Sequence, residues 1–171
     1  LKTASRQLEG PCIISYGDIL FRPYILSNLL STKSDISVVI DARIDVNIQK
    51  YVGQEKDIAY CTREFTGDYL DEKPILLEKI LSKNLSDTNK DFSADPSGEF
   101  IGLIKTNALG TQLILEELAI MERADALNNA DLPDLLNRLI ARDTKIEVVY
   151  ITGHWLDIDD TLDLAQARNL V

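Results

Sequence analysis

Ile13-Ile14-Ser15-Tyr16-Gly17-Asp18-Ile19-Leu20-Phe21 decides how the chain is read. An apolar run led by Pro11 and Cys12 stops abruptly at Gly17-Asp18, and a helical pattern starts near Arg22-Pro23. Rich in β-branched and aromatic residues, the run reads as a short strand that can be buried on both faces. Gly17 permits a tight turn or a close backbone approach to a ligand. Asp18 then stands at the carboxyl end of a buried strand, where open α/β sheets bind their ligands. The alternative is that Asp18 caps the helix, since Asp and Pro are both common at helix starts.

A second acidic cluster, His154-Trp155-Leu156-Asp157-Ile158-Asp159-Asp160, lies near the other end of the chain. As a strand over 155–158, its period of two puts Asp157 and Asp159 on one face and Leu156 and Ile158 on the other. Asp159 or Asp160 could instead be only the N-cap of a last helix carrying Leu162, Leu164 and Ala165, and for Asp160 the cap is the preferred reading. Asp157 reads as functional, because a carboxylate among aromatic and aliphatic residues is costly unless paired, hydrogen-bonded or metal-bound. Asp18 brought together with Asp157 and Asp159 would make an oxygen-only site suited to Mg²⁺, which takes one or two carboxylates, waters and substrate phosphate oxygens.

Between the clusters, strands and helices alternate. Tyr24, Ile25, Leu29 and Leu30 form a helical face, and Ile36-Ser37-Val38-Val39-Ile40-Asp41 follows as a second buried strand, which predicts a βαβ unit with a parallel pair. Asp41 reads as an ordinary loop carboxylate. From Asp57-Ile58-Ala59-Tyr60-Cys61 onward the pattern weakens, and 82–98, rich in Ser, Asn, Asp and Lys, reads as a mobile loop or insertion. A loop of that length near a site can serve as a lid or an oligomer contact, so a homodimer is a further expectation. Past a strand over 101–105, one helix carries Leu109, Leu113, Leu115, Leu118 and Met121, and another runs from Leu132 through Ile140. Ile146, Val148, Val149 and Ile151 return to the sheet. The expected fold is an α/β sandwich with a mixed sheet.

The 171 residues, 45% hydrophobic, suffice for one domain with a substantial core. A net charge of −10 argues against nucleic acid or an anionic membrane as partner. Cys12 and Cys61 are too few for a disulfide framework or a structural zinc site and read as buried thiols. With no long apolar run and no signal-peptide pattern, the cytoplasm is the expected location.

The segments 15–21, Gly98-Glu99-Phe100-Ile101-Gly102-Leu103-Ile104-Lys105 and Trp155-Leu156-Asp157-Ile158-Asp159-Asp160 together resemble nucleotidyltransferases of the sugar-phosphate and phosphocholine cytidylyltransferase type. The likeness is nearest to the phosphonate cytidylyltransferase domains associated with phosphoenolpyruvate phosphomutases, and it runs over essentially the whole chain. It implies a Rossmann-like, GT-A-like fold. It also implies that Asp18 and either Asp157 or Asp159 hold Mg²⁺ against the nucleotide phosphates. Glu99 would orient the acceptor; alternatively it is an edge-strand carboxylate facing water. Asp71-Glu72-Lys73-Pro74 is similar to the Glu-Lys-Pro element of sugar nucleotidyltransferases, which implies contact between Lys73 and an acceptor phosphate; a solvated helix start is the alternative.

That family opens on a strand and a Gly-rich loop followed by basic residues, whereas Leu1 to Gly10 reads as the tail of a helix ending at a Gly. Residues 1–171 are therefore expected to be the C-terminal portion of a single nucleotidyltransferase domain, with its catalytic basic residues upstream. The activity implied is Mg²⁺-dependent transfer of a nucleotidyl group, with CTP favoured as donor, to a small phosphonate or phosphate acceptor. Such acceptors are already anionic and need no general base, so His154, the only histidine, is assigned packing or hydrogen bonding. The competing readings are a GT-A-like glycosyltransferase, which would carry Asp-x-Asp where this chain has Gly17-Asp18-Ile19-Leu20, and a non-catalytic regulatory or oligomerisation domain.

Overall fold

The computed structural model describes residues 1–43, 56–67, 73–81, 95–158 and 160–170. A 3-10 turn, Lys2–Gln7, leads into β1 (Cys12–Ser15), β2 (Ile19–Phe21), α1 (Pro23–Ser31) and β3 (Ile36–Asp41). After these come β4 (Ile58–Cys61), β5 (Leu77–Leu81), the long β6 (Gly98–Thr106), α2 (Ala108–Arg123), α3 (Leu132–Ile140), β7 (Ile146–Ile151), β8 (Trp155–Asp157) and α4 (Thr161–Leu170).

Six strands form one mixed sheet in the order β5-β4-β6-β3-β7, with β1 also paired to β6. β6 runs antiparallel to β1, β3 and β4, while β3 and β7 are parallel. β1 and β3 thus point the same way, as a βαβ reading requires, but they are not neighbours: β6 lies between them, and the parallel partner of β3 is β7. Direction follows from a crossover helix, whereas adjacency depends on which later strand enters the gap. β4 and β5, which the weak pattern after Asp57 concealed, extend the sheet on the far side of β6.

Alternation along the strands divides the core into two layers. Ile36, Val38 and Ile40 of β3, with Phe100 and Ile104 of β6, face α2 and α3 through Ile114, Leu118, Met121, Leu135 and Leu139. Val39, Ile101, Leu103 and Ile151 face the other way, against Ile25 and Leu29 of α1 and against Ile19, Phe21 and Trp155 of the two-stranded β2–β8 ribbon. The result is the expected sandwich, helices on one face, helix and ribbon on the other. β1 departs from expectation, since Ile14 is buried but Ile13 is 43% exposed.

Local chemistry starts each helix. Pro23 occupies the first turn of α1, and the Asn107 side chain accepts from Gly110 N at the start of α2. At α3, Asp131 and Asp134 form a reciprocal capping box. Asp160 accepts from Leu162 N and Asp163 N, the cap that the sequence suggested. α2 and α3 are locked by Glu117, whose 1%-exposed side chain accepts from Arg138 Nε at 2.5 Å and Arg142 Nη1 at 2.7 Å. None of the described helices is long and apolar enough to cross a membrane.

Candidate active site

The two acidic clusters are strand partners. β2 and β8 pair antiparallel with Ile19 opposite Asp157 and Phe21 opposite Trp155, and Ile158 N donates to Asp18 O at 2.9 Å. Asp18 and Asp157 therefore occupy successive rungs of one ribbon. Asp18 does not cap α1, because β2 intervenes and the cap position is Arg22, which makes no side-chain cap bond. Asp159 lies outside the described residues.

Asp18, Glu99 and Asp157 line one cavity of about 370 Å³ with two carboxylates that sequence reasoning did not single out, Asp57 and Asp131. Tyr16, Phe100 and Trp155 supply its aromatic walls. The cavity lies past the carboxyl end of β1 and beside the start of the antiparallel β6, with Trp155 and Asp157 of β8 also lining it. Lys73 is exposed and is not among the lining residues; its carbonyl accepts from the Arg63 guanidinium. Of the 82–98 segment, 82–94 lie outside the described residues, while Pro96, Ser97 and Gly98 are buried and Gly98 opens β6.

Along the flank of β6, β1 covers residues 103–106 and β4 covers 98–99, leaving a gap at the middle of the strand. Tyr16 fills it. Its backbone N donates to Gly102 O at 3.0 Å, its ring meets Phe100 edge-on, and its hydroxyl donates to Asp57 Oδ2 at 2.9 Å. Burial, reinforced by the Asp57 carboxylate, holds the Tyr16 phenol far above its ordinary range, so it remains a donor. Glu99 is not on an edge strand: β6 is flanked by β3 and β4 at that point, and Lys56 Nζ meets Glu99 Oε2 at 2.5 Å.

Gly17 has room on every side. A Cβ built there meets nothing within 4 Å, and its φ is not positive. Gly17→Ala is therefore expected to leave the melting temperature unchanged within about 1–2 °C. A loss of ligand affinity in that variant would report close approach of a ligand to this backbone, and a large drop in melting temperature would show that the turn itself needs glycine.

Asp41 is no loop carboxylate. It is 5% exposed, and it accepts from Arg43 N, the Arg43 guanidinium, Gly153 N at 3.0 Å and Trp155 Nε1 at 2.7 Å. Burial alone would raise its pKa, but the hydrogen bonds from Arg43 and Trp155 and the Arg43 charge outweigh burial and hold it low. Glu117 is held low in the same way, burial being outweighed by Arg142 and Arg138. As pH falls, the unfolded chain takes up these protons first. Both carboxylates thus stabilise the fold fully above the ordinary range, about 4, and that stability is lost as pH drops toward their folded-state values. Melting temperature is expected to fall steeply on this acid limb and less steeply in Glu117→Gln; parallel limbs would refute the assignment.

His154, at φ +65°, takes the hydrogen-bonding role assigned to it. Its Nδ1 lies 2.9 Å from Tyr24 Oη, the two rings meet edge-on, and its carbonyl accepts from Arg22 N. Cys12 and Cys61 are half-buried and unbridged, and burial pushes the Cys61 thiol up.

Among the described residues no three His, Cys, Asp or Glu side chains converge as a self-sufficient metal cage. Two carboxylates with open cavity beside them are, however, what Mg²⁺ uses when substrate phosphates and waters complete its shell. No family model and no curated protein matches the sequence. Solved structures do. The chain superposes over 96% of its length on the UTP-bound UGPase of Acinetobacter baumannii, at a TM-score of 0.61 and 13% identity, covering 52% of that protein. The inositol-1-phosphate CTP transferase of T. maritima matches 95% of the chain at a TM-score of 0.58 and 17% identity, with 55% of its own length covered. A structure described as a glucose-1-phosphate thymidylyltransferase from Bacillus anthracis, in complex with sucrose, matches 98% at 0.57 and 16% identity, with 57% covered. The fold is shared with nucleotidyltransferases. The chain spans a little over half the length of these structures.

Proposed function

We propose that the chain is part of an Mg²⁺-dependent nucleotidyltransferase, contributing the metal-binding and acceptor side of the site. The observation that carries this reading is the pairing of the two acidic segments across the β2–β8 ribbon, with Asp18 and Asp157 opening on one cavity. An oxygen of a phosphonate or phosphate monoester attacks the α-phosphorus of a nucleoside triphosphate in line. The new P–O bond forms as the α–β bridging bond breaks, and pyrophosphate leaves. When bound, Mg²⁺ screens acceptor and nucleotide anions from each other and stabilises the developing charge. Asp18 and Asp157 would hold it; Asp159 keeps the same role on sequence grounds.

Five lining carboxylates repel a triphosphate on their own, so this wall suits the metal and the acceptor better than the phosphate tail. Carboxylates interleaved with Tyr16, Phe100 and Trp155 favour an acceptor that carries a cationic amine, through ion pairing and cation–π attraction. Glu99, which lines the cavity, would orient it; Lys73 would have to reach it from outside the described cavity. His154 is engaged by Tyr24, in keeping with an attack that needs no general base. CTP is favoured as donor by motif resemblance, and a cytoplasmic location fits such a substrate.

The test is Mg²⁺-dependent pyrophosphate release by the full-length protein, with CTP, UTP and dTTP against amine-bearing and sugar phosphate acceptors. Release with CTP and an amine-bearing acceptor is the expected result. Release only with a sugar phosphate would move the acceptor assignment, and hydrolysis of a nucleotide sugar without pyrophosphate release would favour the glycosyltransferase reading.

A further inference from the structure

β7 and β8 are consecutive strands in different sheets, and the chain passes from one to the other through Thr152-Gly153-His154. Gly153 and His154 both adopt positive φ, +82° and +65°, a sharp bend that the backbone does not favour by itself. The bend is held from outside. One carboxylate, at the end of β3, accepts from Gly153 N with Oδ1 and from Trp155 Nε1 with Oδ2, while the Arg43 guanidinium covers Gly153 so closely that a Cβ there would come within 2.4 Å of its atoms. Two residues beyond Trp155 stands Asp157, opposite Ile19 and next to the Asp18 rung.

The geometry points to Asp41 as a positioning residue for the candidate metal site: by gripping Gly153 and Trp155 it fixes β8, and through β8 it sets where Asp157 meets the β1–β2 turn. Asp41 itself does not line the cavity, so it acts through the strand and not on a ligand. Its hold on β8 follows from the hydrogen bonds alone. Only the link to metal binding rests on the nucleotidyltransferase reading.

Amide hydrogen exchange and Mg²⁺ calorimetry on the full-length protein, compared with Asp41→Asn and Trp155→Phe, test both parts. Asp41→Asn keeps the shape of the side chain but removes its charge and turns an amide donor toward donors. Exchange in β2 and β8 is expected to rise about tenfold or more in Asp41→Asn, the range for losing charge-assisted bonds, and less in Trp155→Phe, while the β1–β6 ladder keeps its protection. Mg²⁺ affinity is expected to weaken by a similar factor. Unchanged exchange in β2–β8, or equal loss over the whole sheet, overturns the positioning role. Loosened β8 with unchanged Mg²⁺ affinity overturns the link to the metal. Should wild-type protein bind no Mg²⁺ while β8 loosens as expected, the metal reading of the site falls and the hold of Asp41 on β8 stands. If Asp41→Asn does not fold, Trp155→Phe, which removes one donor only, is judged by the same criteria.

Discussion

Asp18→Asn in the full-length protein is expected to lower Mg²⁺-dependent pyrophosphate release by about 10²–10³-fold, the order found when one preorganised electrostatic group is removed from a reacting centre. The fold should be indifferent to the change. The tie that Asp18 makes to β8 is through its carbonyl, which accepts from Ile158 N and survives the substitution, and it caps no helix. Melting temperature is therefore expected to stay within about 1–2 °C of wild type. What asparagine removes is the negative charge that a hard cation needs, at nearly constant shape. Asp157→Asn should act in the same direction, and the double variant should lose much less than the product of the two single losses if both carboxylates hold one ion. Full turnover of Asp18→Asn at saturating Mg²⁺ would remove Asp18 from the site.

The parts of this molecule that could be read in its sequence are those whose causes are local. α3 is bounded by its own capping residues and by Pro133, and β3 has four β-branched residues among its six, all of which are buried. The two acidic segments could be singled out for different reasons, Asp18 by its place at the end of an apolar run and Asp157 because a carboxylate among aromatic and aliphatic residues is costly. Strand adjacency was not local: nothing between Cys12 and Asp41 says that β6 will lie between β1 and β3. β4 and β5 are short, and their pairing is interrupted by a register shift between Tyr60 and Cys61, so their place depends on partners far along the chain. Asp41 shows the same limit for a side chain. Its two long-range donors are 112 and 114 residues away, and without them a carboxylate after a buried strand looks like a loop residue. Asp131 caps α3, and its second role is out of reach of the sequence, since only the placement of α3 turns it toward the cavity. Asp57 carried no signal except its position before an apolar run.

Gly102→Ala is expected to destabilise the protein by about 3–5 kcal/mol, a large part of the 5–15 kcal/mol typical of a domain. Gly102 sits in the middle of β6 where the β3 register slips, Val38 facing Ile104 but Ile40 facing Phe100, so β6 carries two extra residues and bulges. Its φ of +78° costs any L-residue about 1–2 kcal/mol. A Cβ would also come 1.9 Å from Tyr16 Cδ2 and 2.3 Å from Cγ, so the ring must move. The ring is not free to do so: it is fixed by the hydroxyl bond to Asp57, the edge contact with Phe100 and the backbone bond to Gly102 O. Overpacking of this kind costs about 1–3 kcal/mol, and loss of a bond to a charged partner about 1.5–3, with the terms overlapping because one displacement causes both. A fall in melting temperature of about 6–20 °C should follow. Tyr16→Ala removes the obstructing ring, so in that background Gly102→Ala should cost only the backbone part, and the double-mutant cycle isolates the steric coupling. If Gly102→Ala costs the same with and without the Tyr16 ring, the close seat of Tyr16 over the bulge is wrong, and with it the placement of Asp57 at the cavity wall.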